Sequence, residues 1–199
     1  MVSDEQPSRH LRMTEPSDWF QAYRPLIAEG GSVLDVAAGG GRRVKLFAEA
    51  GHRVTAIDRN IEALSAFVDS HDAEIVEADL ESGAPWPLPG RTFGAVIVCN
   101  YLYRPLFEDL IRALAPGGVL LYETFARGNE VYGKPRNPDH LLKSGELLDV
   151  VRGRLQVVAY RHGIVEGDKC PGVKQMICAV NNLGSSDREE GDPAPFPLL

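Results

Sequence analysis

Short runs of β-forming residues alternate with helical patterns along most of the chain, and this alternation limits the fold more than any other feature. Five runs fit strands: residues 33–36 (VLDV), 52–58 (HRVTAID), 73–79 (AEIVEAD), 93–100 (FGAVIVCN) and 117–124 (GGVLLYET). The segments between them carry apolar residues at helical spacing. Such β-α-β units have right-handed crossovers, so the pattern predicts a parallel sheet covered by helices on both faces.

Four helices are predicted, with recognisable ends. The first covers residues 17–31, with Ser17 as its cap and two glycines as its stop. The second follows Gly41, the third follows Asn60 as a cap, and the fourth has an apolar stripe from Leu106 to Leu114. Two further β-rich segments, 154–166 and 173–182, are close enough in sequence to pair as a hairpin.

Length and composition predict one domain. A chain of 199 residues with 44% apolar content buries enough surface for a single core. We expect a flexible segment at 1–16, the folded domain at 17–183, and a disordered acidic, Pro-rich tail at 184–199. The sequence shows neither a membrane span nor a signal peptide, which predicts a cytoplasmic protein. Three cysteines without a C-x-x-C pair predict neither a disulfide framework nor a metal site.

Residues 37–41 (AAGGG) connect the first strand to a helix and predict a bound cofactor. Glycines at such a turn tolerate positive φ and let a ligand approach the backbone, and ligands of parallel sheets bind at the carboxyl ends of the strands. The candidates are a dinucleotide and an adenosyl group. Val44 stands where a dinucleotide fingerprint has its third glycine, which disfavours that candidate. A P-loop is excluded because no Gly-Lys-Ser/Thr follows.

Two aspartates end the next two predicted strands. Asp58 is placed to accept hydrogen bonds from ribose hydroxyls, as in both NAD and adenosyl sites, although it could instead be a helix cap or turn residue. Asp79 is placed to contact an adenine edge, a feature that the NAD fingerprint lacks; the alternative is a turn-forming aspartate. With the glycine loop, these positions favour an adenosyl cofactor.

From about residue 30 to residue 181 the sequence resembles the class I S-adenosylmethionine-dependent methyltransferases. VLDVAAGGG resembles the family's glycine loop, TAID its ribose-binding strand end, EADL its adenine contact, FGAVIVCNYLY its fourth strand, and LAPGGVLLYET its helix, turn and fifth strand. Ala37 departs from the pattern, since it stands where the first glycine usually lies. The short fourth-strand region and C-terminal strand pair are loosely similar to those of the tellurite-resistance and thiopurine-like members.

This resemblance implies an α/β fold, a Rossmann-like, doubly wound, seven-stranded and mostly parallel sheet in three layers. It implies S-adenosylmethionine as cofactor and methyl transfer as activity. The cofactor-binding residues that it implies are Asp35, Ala37, Gly39, Gly41, Asp58, Arg59, Asp79, Leu80, Asn100 and Tyr101.

The sequence says less about the methyl acceptor than about the cofactor. A soft or ionised nucleophile needs no base, whereas a hydroxyl or amine does; candidates for a base or other catalytic residue are Tyr103, Glu123, His140 and His162. The segment 127–140 reads as a loop over the carboxyl edge, and candidates for acceptor binding are Tyr103, Arg104, Arg127 and Arg136, with a solvated surface loop as the alternative.

Charge separates the remaining function classes. The net charge of −7 disfavours a nucleic-acid partner, whereas residues 101–161 are locally basic. We therefore expect a small acceptor that is anionic or a soft nucleophile, no membrane partner, and a monomer or homodimer. An RNA or protein methyltransferase and a non-catalytic adenosyl-binding module remain alternatives. An oxidoreductase is disfavoured because no Tyr-x-x-x-Lys pair is present.

Overall fold

The computed structural model describes residues 16–67, 73–166, 171–184 and 193–197. One seven-stranded sheet with the strand order β3-β2-β1-β4-β5-β7-β6 organises them. Its strands are β1 Ser32–Val36, β2 Arg53–Asp58, β3 Glu74–Glu77, β4 Phe93–Cys99, β5 Leu114–Phe125, β6 Gln156–Val165 and β7 Gly172–Val180. The predicted Rossmann-like, doubly wound sheet is confirmed.

The first five strands run parallel, and β7 is antiparallel to both β5 and β6. The predicted C-terminal hairpin is therefore present, with β7 inserted between β5 and its own hairpin partner. The strand order reverses at β1, which pairs with β2 on one side and β4 on the other. The glycine loop follows β1 and thus lies where a doubly wound sheet opens its ligand crevice.

Helices cover both faces of the sheet. Helices α1 (Asp18–Tyr23) and α2 (Arg42–Glu49) pack on one face, with Phe20 and Phe47 among its buried residues. Helices α3 (Phe107–Arg112) and α4 (Glu146–Val151) pack on the other face through residues such as Ile111 and Leu147. Two apolar layers therefore enclose the central strands, which explains why these strands read as nearly continuous apolar runs.

Three helix predictions differ from the structure at their ends. Ser17 caps α1 as predicted, since its Oγ accepts the Trp19 N–H at 3.2 Å, but α1 ends at Tyr23 and a short 3-10 turn follows. Pro25 explains this early end, because proline lacks the N–H that would continue the α-helical hydrogen bonds. Leu114 begins β5 instead of closing α3. Asn60 accepts the Glu62 N–H at 3.1 Å, but residues 62–65 form turns instead of the predicted helix. Helical backbone begins at residue 66, and residues 68–72 lie outside the described part of the chain.

The predicted terminal segments are only partly described. Residues 1–15, 185–192 and 198–199 lie outside the described residues. Within the predicted tail, Gln156 donates a hydrogen bond to the Ala194 carbonyl at 3.1 Å, and Phe196 packs against the core on the α1 face. Cys99 and Cys178 are buried free thiols, and Cys170 lies in an undescribed segment. No helix in the described residues is long and apolar enough to cross a membrane.

Candidate functional site

The glycine loop has left-handed backbone at alternating positions. Ala37, Gly39 and Gly41 have φ values of 53°, 58° and 78°, and Gly41 is the N-cap of α2. A Cβ on Gly41 would lie 2.3 Å from the Phe67 ring. Both the left-handed backbone and the packing against Phe67 therefore require glycine at position 41. Ala37 also has a left-handed backbone, although it carries a side chain.

An ion pair behind the loop holds it against β1. Arg43 Nε donates to Asp35 Oδ1 at 2.8 Å, and Arg43 Nη2 donates to the Ala37 carbonyl at 3.1 Å. Asp35 is completely buried, Arg43 is 2% exposed, and Asp35 Oδ2 has no partner among the described residues. Burial raises the pKa of the Asp35 carboxyl, against the opposing effect of Arg43. Arg43 was not predicted from the sequence. An arginine beside Val44, on a predicted buried helix face, could have indicated a buried ion pair.

Asp58 lies at the end of β2 against the same loop. Its Oδ2 accepts the Gly39 N–H at 2.8 Å, and its Oδ1 accepts the Asn60 N–H at 2.9 Å. Each carboxylate oxygen has a second lone pair for a further donor. Asp58 can thus stabilise the turn and still accept hydrogen bonds from a ribose. The sequence had presented these two roles as alternatives.

The other predicted cofactor residues follow β2, β3 and β4. Asp79 Oδ1 accepts the Glu81 N–H at 2.9 Å and so forms a turn. Asn100 has φ 54° and donates its N–H to the Glu123 carbonyl at 2.8 Å. Burial and the hydrogen-bonded Glu81 raise the pKa of Tyr101, so this phenol is a neutral group. Arg59 is exposed and Leu80 packs partly on the core. All of these residues lie at the carboxyl edge, and Glu81 is an addition that the sequence did not suggest.

Arg104, predicted to bind the acceptor, is engaged in holding the polypeptide together. Its guanidinium donates to both Glu146 carboxylate oxygens at 2.6 and 3.0 Å, to the Asp139 carbonyl at 2.6 Å and to the Leu141 carbonyl at 3.0 Å. The prediction for Arg104 therefore needs correction, since these four hydrogen bonds use most of its donors. Arg104 anchors the loop after β5 to α4. Tyr103, just before it, is half-buried.

Two of the candidate catalytic residues lie on different faces of the sheet. Glu123 pairs in register with Met176 on β7, whereas His162 pairs with Gln175. Neighbouring residues of a strand point to opposite faces, so Glu123 and His162 lie on opposite faces of the sheet. His140 is exposed in a 3-10 turn of the loop after β5. Glu123 and His162 therefore do not act together as one catalytic pair.

The loop after β5 carries the remaining predicted acceptor residues. Asn129 organises it by donating to the Pro135 carbonyl at 3.0 Å and accepting the Val173 N–H at 3.2 Å. Arg127 and Arg136 are exposed, and in the described part of the chain no carboxylate forms an ion pair with either. The loop thus exposes two arginines after the carboxyl end of β5, and their role in acceptor binding stays a prediction.

Cys99, at the end of β4, is unsuited to covalent chemistry. Burial raises the pKa of its thiol, which therefore stays protonated. A thiolate is the nucleophilic form of cysteine. Cys99 therefore provides no nucleophile to the site.

Comparisons with known proteins agree with this geometry. Residues 33–118 match the family described as Methyltransferase domain. The malonyl-[acyl-carrier protein] O-methyltransferase of Pectobacterium atrosepticum is 30% identical over 176 residues, which cover 81% of this chain and 67% of that protein. The chain belongs to the class I S-adenosylmethionine-dependent methyltransferases. The ubiquinone biosynthesis O-methyltransferase of Ralstonia nicotianae is 34% identical over 124 residues, 58% of this methyltransferase and 51% of the relative.

Solved structures show the same fold. TehB from Haemophilus influenzae superposes with a TM-score of 0.68 at 16% identity, covering 83% of this methyltransferase and 62% of TehB. The N-methyltransferase NodS from Bradyrhizobium japonicum, in complex with S-adenosylhomocysteine, gives a TM-score of 0.62 at 15% identity, with coverage of 82% and 85%.

The residues at the crevice fit S-adenosylmethionine, which is the cofactor of this methyltransferase. Asp35 Oδ2 is a buried carboxylate oxygen to which no described residue donates, and Asp58 keeps acceptor capacity beside the Gly39 backbone. Asp58 would hold the ribose, the turn at Asp79 would flank the adenine, and the glycine loop would hold the amino-acid portion. Bound there, the cofactor supplies a methyl group already activated by a sulfonium.

Proposed function

We propose that this methyltransferase methylates an anionic oxygen of a small acceptor, a carboxylate or a phenolate. The observation that carries the proposal is the cationic loop at the carboxyl edge, where Arg127 and Arg136 are exposed without a carboxylate partner among the described residues. Both curated relatives quoted above are named as O-methyltransferases. The net charge of −7 disfavours a polyanionic acceptor such as RNA.

For a carboxylate acceptor the chemistry asks little of the protein beyond positioning, because the group is ionised at neutral pH and no residue has to remove its proton. A phenol has a pKa of about 10 and must lose its proton before it attacks. The neutral Tyr101 phenol and the protonated Cys99 thiol provide no competing nucleophile near the crevice. Arg127 and Arg136 would attract and orient the acceptor, and orientation is the main source of rate enhancement for a reaction between two bound groups.

A methyl-transfer assay with labelled cofactor tests the proposal. The acceptors are malonyl-N-acetylcysteamine as a carboxylate, 3,4-dihydroxybenzoate as a phenol, a small thiol, tellurite as a chalcogen oxyanion, and total RNA. We expect labelling of an anionic oxygen acceptor and about 10- to 100-fold lower kcat/KM in the Arg127→Ala/Arg136→Ala variant, the effect of losing a charged hydrogen bond.

The matched control is Arg112→Ala/Arg152→Ala, which removes two exposed arginines from elsewhere on the surface. Labelling of RNA with none of the small acceptors would contradict the proposal. Full activity in the Arg127→Ala/Arg136→Ala variant would show that the loop only faces solvent.

A further inference from the structure

A line of polar side chains lies along the carboxyl edge, beginning beside the glycine loop. Arg42 Nη2 is 4.0 Å from Cys99 Sγ at the end of β4. Cys99 is the register partner of Glu123 on β5, and Glu123 accepts a hydrogen bond from Lys174 Nζ on β7. We call Arg42, Cys99, Glu123 and Lys174 the edge cluster. It extends from the helix that follows the glycine loop to β7.

Glu123 is the most deeply buried member of this cluster, and one of its carboxylate oxygens lacks a hydrogen-bond partner among the described residues. Its side chain is 2% exposed, and Oε2 has no hydrogen-bond partner among the described residues, although Oε1 accepts from Lys174. A buried carboxylate requires a compensating cation. Glu123 therefore fixes the place of the Lys174 ammonium.

The Lys174 side chain is partly exposed, although it forms an ion pair with the buried Glu123. Its side chain is 15% exposed, and its Nζ lies 5.0 Å from the centre of the Phe125 ring. An ammonium has three N–H donors, and Glu123 is the only hydrogen-bond acceptor that it has in the described part of the chain. The group is thus oriented by a carboxylate and an aromatic face, with donors left over.

Lys174 lies at the carboxyl end of β5, next to the start of the loop that carries Arg127 and Arg136. It pairs in register with Phe125, the last residue of β5, and the cationic loop begins directly after that strand. Its ammonium contacts Glu123, which lies on β5 beside β4. Arg104, in contrast, is engaged by Glu146 and carbonyl groups. Both cations are paired with a carboxylate, but Arg104 makes four hydrogen bonds, whereas Lys174 makes one among the described residues. Lys174 therefore keeps more donors for an anionic ligand.

We propose that Lys174 binds the anionic group of the methyl acceptor and that Glu123 is the positioning residue that orients its ammonium. This inference rests on the proposed function, because it names the residue that recognises the anionic acceptor. An ammonium that contacts one carboxylate oxygen leaves the second oxygen available for methyl transfer. The competing explanation is that Lys174 only neutralises Glu123.

A neutral double variant separates these explanations. Lys174→Met leaves a buried charge on Glu123 and destabilises the fold, whereas Lys174→Met/Glu123→Gln removes both charges and restores the free energy of unfolding. Malonyl-N-acetylcysteamine is titrated calorimetrically into each protein saturated with S-adenosylhomocysteine, which measures acceptor binding without turnover. Lys174→Arg keeps the charge, and Lys45→Met is the matched control because Lys45 is an exposed lysine of α2.

We expect the double variant to bind the probe about 10- to 100-fold more weakly than the wild type, with unchanged affinity for S-adenosylhomocysteine. Lys174→Arg should retain most of the binding, and Lys45→Met all of it. Wild-type affinity in the double variant would overturn the inference and leave the proposed function standing. A wild-type protein that neither binds nor methylates any of the anionic acceptors would overturn both.

Discussion

Ala37 holds a left-handed backbone that a residue with a β-carbon adopts at a cost. Its φ is 53°, at the position where the family usually has glycine. The left-handed conformation costs about 1–2 kcal/mol for an ordinary residue, whereas glycine costs about 0.5–1 kcal/mol in unfolded-state entropy. Ala37→Gly should therefore raise the free energy of unfolding by about 0.5–1 kcal/mol, as measured by urea denaturation.

The neighbouring alanine provides the control for this prediction. Ala38 is buried and is not among the residues with positive φ. Ala38→Gly should destabilise the protein by about 1 kcal/mol, because it adds backbone entropy and removes a buried methyl group. Equal effects of the two substitutions would show that the conformation of Ala37 stores no strain.

Asp58 supports the loop and is also placed to hold the cofactor. Asp58→Ala removes acceptors for the Gly39 and Asn60 N–H groups, so the free energy of unfolding should fall by about 1–2 kcal/mol. Affinity for S-adenosylhomocysteine should fall by about 1.5–3 kcal/mol, the scale of losing charged hydrogen bonds. Urea denaturation and calorimetric titration measure the two effects separately. Loss of stability with unchanged affinity would leave Asp58 as a turn residue only.

For single residues, the sequence could identify candidate site residues but not the side chains with which they form hydrogen bonds. Asp58 and Gly39 were both recognisable from their places at strand ends. Arg104 was also recognised, yet its engagement by Glu146 depends on how the loop after β5 folds back over α4. A long side chain can reach any of several partners, and only the tertiary structure selects one.

The loop between β5 and α4 is held by the ion pair of Arg104 with Glu146, because Arg104 also donates to two carbonyls of the loop. Burial tends to raise the pKa of Glu146, but hydrogen bonds from Arg104 and from the Lys143 N–H outweigh burial and lower the pKa below its ordinary value of 4.5. A carboxyl with a lowered folded-state pKa contributes stability above its ordinary pKa, and this contribution is lost as the pH falls through the lowered value.

Glu146→Gln should therefore destabilise the protein at neutral pH and weaken the loss of stability below pH 4.5. Urea denaturation across a pH series measures both effects. Asp149→Asn is the control, because Asp149 forms an exposed pair with Arg152 and should change stability by less than about 1 kcal/mol. Parallel pH profiles of wild type and Glu146→Gln would contradict the proposed contribution of this pair.

Strands were easier to predict than helices for a physical reason. Buried parallel strands require continuous apolar runs, and β1, β2 and β4 matched their predicted runs to within a residue or so. The first helix was predicted too long because its apolar residues continue beyond Pro25, where the backbone changes to a 3-10 turn. Leu114 fits a helical stripe equally well, but its backbone pairs with Phe93 on β4.

The whole molecule should respond to its cofactor as one unit. A ligand that binds only the folded state at 100 times its Kd adds about 2.7 kcal/mol, which corresponds to a rise in Tm of about 5–10 °C for a chain of this size. S-adenosylhomocysteine should produce such a shift, and NAD at the same concentration should produce none. A larger shift with NAD would contradict the adenosyl site formed by the glycine loop and Asp58.

The overall sheet was predictable because adjacent β-α-β units follow general rules, whereas the strand order at its C-terminal side was implied only by family resemblance. Neither apolar pattern nor spacing states that β7 inserts between β5 and β6. That choice depends on pairing between distant segments, such as Leu121 with Cys178. The edge cluster escaped prediction for the same reason, since Glu123 and Lys174 are 51 positions apart.

The position of β7 between β5 and β6 affects the folding of the chain during its synthesis. Strand β6 is synthesised before β7, yet β7 is its pairing partner and also closes the open side of β5. Until residue 180 leaves the ribosome, β5 and β6 both expose unpaired backbone groups, and such edges are prone to pair with other chains. A stalled or nicked polypeptide that ends before Gly172 would therefore be an aggregation hazard and a target for chaperones, even though most of the glycine-loop half of the sheet had already been synthesised.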